Sequence, residues 1–119
     1  MVTVELRNVI MHGHHGIYAE EQEVMNTFEV NLDVSYDESD LRFEGLNDTI
    51  SYVALFDIIQ EIIKVPVFLL EKICGDTITK IKTKYPQVRA IQMSIYKLQA
   101  PIENFQGKVG VTMHRHFDD

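Results

Sequence analysis

Apolar residues recur along this chain with two different periods, and the change from one to the other separates strands from helices. Residues 27–36 alternate strictly. Phe28, Val30, Leu32, Val34 and Tyr36 fall on one face, with Glu29, Asn31, Asp33 and Ser35 on the other. A period of two is that of an antiparallel strand with one face buried and one wet. Residues 2–11 alternate at Val2, Val4 and Leu6 and are rich in β-branched side chains, which predicts a first strand. From Tyr52 to Lys64 the spacing changes: Leu55, Ile58, Ile59, Ile62 and Ile63 follow the i, i+3, i+4, i+7 pattern of an amphipathic helix, which Pro66 stops. A second helix runs from about Leu69 to Lys84, with Leu70, Ile73, Cys74, Thr77, Ile78 and Ile81 as its inner stripe and Pro86 beyond it. Alternation returns over residues 88–97, where Ile91, Met93 and Ile95 oppose Gln92, Ser94 and Tyr96. Val109, Val111 and Met113 mark a fourth strand. The order ββααββ predicts an α+β fold: a four-stranded antiparallel sheet with two helices on one face.

The other face would present Glu29, Asn31, Asp33, Ser35, Gln92, Ser94, Thr112 and His114. Such a face tolerates water, but four strands also leave two open edges. Subunits that join edge to edge would remove both, so an oligomer is expected. The 119 residues read as a single domain spanning residues 1–119, with no linker-like or low-complexity stretch.

Charge narrows the function classes. There are 11 Lys+Arg against 18 Asp+Glu, a net charge of −7, and the basic residues do not cluster. That balance argues against nucleic acid and against anionic membrane surfaces as partners. No apolar run is long enough to span a bilayer, and Met1-Val2-Thr3-Val4-Glu5 does not resemble a signal peptide. The lone Cys74 cannot build a disulfide framework. A cytoplasmic location is the expectation.

Five positions or clusters carry candidate chemistry. His12-Gly13-His14-His15-Gly16 concentrates three of the five histidines, and His114 and His116 follow on the last strand. Zinc would need three or four ligands at fixed geometry, whereas histidines at a glycine turn are commonly solvated. Glu20, Glu21 and Glu23 form either a solvated acidic loop or functional carboxylates. Tyr52 opens the first helix, after the helix-start residues Asp48 to Ser51, as a packing anchor or as an acid. Glu71 begins the second helix, where the dipole favours a carboxylate, yet it sits beside the apolar stripe. Lys97 continues the apolar face of Ile91, Met93 and Ile95; a lysine there either reaches water or accepts a lowered pKa. Cys74, on the inner stripe, reads as packing.

Taken in order, these pieces resemble the dihydroneopterin aldolase family over nearly the whole chain. The resemblance rests on His15-Gly16 with Glu21, on Thr49-Ile50-Ser51-Tyr52 and on Leu69-Leu70-Glu71. It continues through Lys97 with Ala100-Pro101-Ile102, and through Gly107-Lys108-Val109-Gly110-Val111. The chain departs from the family at His12, where an aromatic is usual, and at Met25-Asn26, where Gly-Gln is common. The adjacent Glu20 leaves the loop glutamate open to a shift of one.

The resemblance implies the tunnelling fold, with subunit sheets joined into a barrel, an octamer of two stacked tetrameric rings, and active sites between subunits. It implies a lyase that splits 7,8-dihydroneopterin into 6-hydroxymethyl-7,8-dihydropterin and glycolaldehyde on the way to folate, with epimerase activity at C2′. No cofactor is expected, because the pterin's own C6=N5 imine accepts the electrons that other aldolases send to a Schiff base or metal. By resemblance Lys97 is the acid/base, Tyr52 assists protonation, and Glu21 positions the side chain and its water. Glu71 would anchor the pterin through its 2-amino group and N3–H. Leu70 would offer backbone amides, and Ile50 and Tyr18 would be apolar walls. The alternatives are an epimerase of dihydroneopterin triphosphate, a zinc-dependent pterin synthase and a non-catalytic pterin-binding protein.

Overall fold

The computed structural model describes residues 1–13, 26–38, 50–66, 69–100 and 102–118. Within them the chain forms β1 (Val2–Gly13), β2 (Asn26–Tyr36), α1 (Tyr52–Ile63), α2 (Leu70–Lys84), β3 (Val88–Lys97) and β4 (Val109–His116). The strands lie in the order β1-β2-β3-β4, each antiparallel to its neighbour. This is the ββααββ arrangement that the two periodicities predict.

The sheet face under the helices is built from alternating positions. Phe28, Val30, Leu32 and Val34 of β2 and Ile91, Met93 and Ile95 of β3 are fully buried. Leu55, Ile58, Ile59 and Ile63 of α1 and Ile73, Cys74, Ile78 and Ile81 of α2 close over them. Each such side chain contributes about 1.5–3 kcal/mol through removal from water.

One departure from simple alternation lies in β1. The register with β2 shifts between Leu6 and Val9, and Asn8 adopts a φ of 54°, a left-handed conformation that asparagine tolerates. This is a β-bulge. It returns Val9 and Met11 to the face already occupied by Val2, Val4 and Leu6, so the whole strand packs on one core. The bulge is held from β2: the Asn8 N–H donates to Asn31 Oδ1 at 2.8 Å, and Asn8 Nδ2 donates to Glu29 Oε1.

The helix ends are made locally. Ser51 caps α1, its hydroxyl accepting from the Ala54 N–H at 3.4 Å. α1 ends at Ile63, before Pro66. At the other end of α2, Lys82 Nζ donates to the carbonyls of Pro86 at 2.6 Å and Val88 at 3.0 Å, fastening the turn into β3. No helix among the described residues is long and apolar enough to cross a membrane.

Candidate active site

Lys97 is the last residue of β3, and period two places it on the same face as Ile91, Met93 and Ile95. It is 9% exposed, so it does not extend into water as a strand-end lysine commonly does. Phe28 flanks it on β2 and Val109 on β4.

The direction of α2 decides what else lies at this end. Lys82, near the end of the helix, reaches Val88 at the start of β3. Cys74, midway, points its thiol at the Met93 carbonyl, 4.0 Å away. The helix therefore runs antiparallel to the strand, and its first turn, with Leu70 and Glu71, lies toward the Lys97 end. Glu71 is exposed and Leu70 is half-buried against the core. Leu69, at the N-cap position, supplies no side-chain cap to the first turn. Burial, and secondarily the nearby negative charge of Glu71, push the Cys74 thiol up to about 12. Cys74 is thus a packing residue, as its place on the inner stripe predicts.

Tyr52 is not brought to this place. Phe56, Gln60 and Ile63 of α1 and the following Lys64 line a cavity of about 300 Å³ with Ile10, Met11 and His12 at the end of β1. Met11 faces Phe28, which in turn faces Lys97, so the last turns of α1 lie at the Lys97 end of the sheet. At 1.5 Å per residue, Tyr52 is about 16 Å back along the helix from Ile63. It is 65% exposed, and the adjacent Val53 is 57% exposed. The reading of Tyr52 as a packing anchor fails within its own chain. Ile50, just before α1, is 3% exposed and belongs to the core cluster. Glu20, Glu21 and Tyr18 lie outside the described residues.

The described histidines do not converge. His12 is exposed, with Nδ1 3.3 Å from Thr27 Oγ1. The rings of His114 and His116 meet at a tilt of 55° with centroids 4.5 Å apart, in the rows of Gln92 and Ala90. His12 and His114 are thus about 20 Å apart along the strand direction, at 3.3 Å per residue. Among the described residues, no group of three or more His, Cys, Asp or Glu side chains is placed to hold a metal. His14 and His15 lie outside them.

Sequence reasoning missed the interactions across the bare face. Glu29 and Asp33, read simply as wet positions, are each met by a cation. Lys108 Nζ lies 2.5 Å from Glu29 Oε2, and Arg7 Nη1 lies 2.6 Å from Asp33 Oδ1. Glu29 is in consequence 7% exposed rather than solvated. Lys108 first, and Asn8 second, hold its carboxyl below the ordinary carboxylate value. No spacing rule could pair residues so far apart in sequence.

The backbone matches solved structures of the same architecture. The *Escherichia coli* dihydroneopterin aldolase in complex with neopterin superimposes with a TM-score of 0.82 at 16% identity, covering 97% of this chain and 99% of that one. The *Burkholderia thailandensis* dihydroneopterin aldolase bound to guanine gives 0.80 at 18% identity, covering 98% and 92%. These likenesses define the class as the tunnelling fold. In sequence, the chain is 28% identical over 117 residues to the dihydroneopterin aldolase of *Streptococcus pyogenes* serotype M18, covering 97% of this chain and 98% of the relative. The profile of the dihydroneopterin aldolase family matches residues 4–114, and the chain belongs to that family of lyases.

Proposed function

We propose that this protein cleaves 7,8-dihydroneopterin by a retro-aldol reaction, with Lys97 as the acid/base and Glu71 as the pterin anchor. The observation that carries the reading is the burial of Lys97 at the end of β3, toward which the first turn of α2 brings Glu71. Glu71 accepts from the 2-amino group and N3–H of the ring, and first-turn amides near Leu70 serve the ring's acceptors. Lys97, through a water, removes the proton from the C2′ hydroxyl. The C1′–C2′ bond breaks, its electron pair moves into the C6=N5 imine, and C2′ leaves as the carbonyl of glycolaldehyde. Protonation at C1′, assisted by Tyr52, gives the hydroxymethyl pterin. Glu21 positions the reacting side chain and its water, and Tyr18 contributes an apolar wall. Re-addition of glycolaldehyde to C1′ through its other face inverts C2′, which is the epimerase reaction.

Tyr52 belongs to a second copy in this reading. It lies far from Lys97 in its own chain and is exposed, while β1 and β4 are open edges that copies can share. An oligomeric ring, an octamer as two stacked tetramers, would bring the two ends together. The test is an assay of metal-free protein for glycolaldehyde and hydroxymethyl pterin, with turnover expected to survive chelation. A requirement for stoichiometric zinc would sink the reading in favour of a metal-dependent pterin synthase. Preference for the triphosphate of dihydroneopterin would redirect it to the phosphorylated substrate. Refolding inactive Tyr52→Phe and Lys97→Ala chains together should restore about a quarter of the sites, since a shared site needs one intact residue from each of two chains.

A further inference from the structure

Glu29 lies on the bare face of the sheet and takes no part in the chemistry above, yet it is more enclosed than anything else charged there. Its Oε2 accepts from Lys108 Nζ at 2.5 Å and its Oε1 accepts from Asn8 Nδ2. The same ammonium lies 4.8 Å from the centroid of the Tyr96 ring. Register explains how Lys108 crosses from the start of β4 to β2. Glu29 faces Tyr96, and Tyr96 faces Gly110. A Cβ at Gly110 would fall 2.0 Å from the Ile95 carbonyl oxygen, so this position takes only glycine. Lys108, two residues before Gly110, passes over the Tyr96 ring to reach Glu29.

The neighbouring row, pointing to the opposite face, is Phe28, Lys97 and Val109. Lys97 is thus held where the β3–β4 ladder ends. Beyond it, residues 102–108 are exposed and add no further strand. This mouth is tied on both sides. On one side the Leu98 N–H donates to the Thr27 carbonyl at 3.1 Å. On the other, the chain returning to Val109 is fastened by Lys108 to Glu29.

We propose that Glu29 and Lys108 are positioning residues for Lys97: their ion pair pins the mouth of the β3–β4 connection to β2 and so sets where the Lys97 side-chain nitrogen meets the substrate. The inference rests on the reading of Lys97 as the acid/base. Neither residue touches the pterin. Both act through the backbone, on the face of the sheet away from the helices.

The test compares Lys108→Met, Lys108→Arg and Glu29→Gln with wild type. It measures kcat, KM, dihydroneopterin affinity and thermal midpoint on each full-length protein. Lys108→Met and Glu29→Gln should each lower kcat by about 10- to 100-fold, the size expected of a small misplacement of a reacting group. KM and affinity should stay within about 2-fold, because binding is left alone. Lys108→Arg keeps a cation for Glu29 and Tyr96 and should recover most of kcat. Wild-type kcat in Lys108→Met would overturn the inference. So would a parallel fall of kcat, affinity and thermal midpoint that Lys108→Arg fails to reverse. Lys97→Ala, measured alongside, separates the two claims. If it retains cleavage, the reading of Lys97 fails. If it abolishes cleavage while Lys108→Met does not slow it, only the positioning role fails.

Discussion

On the covered face of the sheet, Leu32, Ile91 and Met93 are sealed by two helices of the same chain, whereas on the bare face Glu29 and Asp33 are each neutralised by a cation from elsewhere in the fold. One alternation makes both faces, but they are stabilised in different ways. The covered face depends on close packing, in which any lost volume is felt. The bare face depends on pairing charges that solvent partly screens. Lys97 joins the two: it is a buried lysine on the carbon-lined side, and the row that buttresses it lies on the polar side.

The largest expected effect tests whether that placement matters. Lys97→Ala should reduce cleavage by about 100- to 10,000-fold, the usual contribution of a positioned acid/base, while pterin fluorescence titration shows binding largely intact. A wild-type rate would make Lys97 an ordinary buried lysine and remove the distinction between it and its carbon neighbours. Next comes the core itself. Ile78→Ala, at a position with no exposure, should cost about 2–5 kcal/mol in urea unfolding. A cost below 1 kcal/mol would mean that the helices rest loosely on the sheet.

The bare face should respond far less. Asp33→Asn breaks the Arg7 pair but should change unfolding free energy by no more than about 1 kcal/mol, since Arg7 is 47% exposed. A loss as large as that of Ile78→Ala would make the polar face an equal source of stability. The smallest effect is a pH slope. Lys108 and Asn8 hold the Glu29 carboxyl below its ordinary value of 4.5. A lowered carboxylate stabilises the fold above its unfolded pKa, and that contribution is lost as pH falls through the folded value. Thermal melts of wild type should therefore weaken more steeply below about pH 4.5 than those of Glu29→Gln, with the two slopes parallel near neutrality.

Much of the architecture is legible in the sequence because each element carries an unbroken period. β2 and β3 alternate cleanly, and the α1 stripe ends before Pro66. The bulge in β1 is visible only as a change of phase, from Val2, Val4 and Leu6 to Val9 and Met11. Its cause lies in hydrogen bonds from Asn8 to the next strand, which no local pattern encodes. The site divides the same way. Lys97 stands out because it interrupts an apolar face, and Glu71 because a charge sits beside the inner stripe. The displacement of Tyr52 from both depends on how α1 lies across β1, a packing choice made over the whole layer. The Lys108–Glu29 contact was hidden for a related reason. Each residue alone is an unremarkable surface charge, and only the register of β2, β3 and β4 brings them together across Tyr96.

The number of strands has a consequence of its own. With four strands, each antiparallel to the last, the two outer strands run in opposite directions. An identical copy placed beside this one by rotation about an axis along the strands would set its β1 against the first copy's β4, and these also run in opposite directions. The alternation would then cross every seam without a fault, whatever the size of the ring. A sheet of three or five such strands would instead force a parallel junction between each pair of copies. Even parity thus makes the edge of one chain a ready continuation of the next, with the hydrogen-bonding direction already correct.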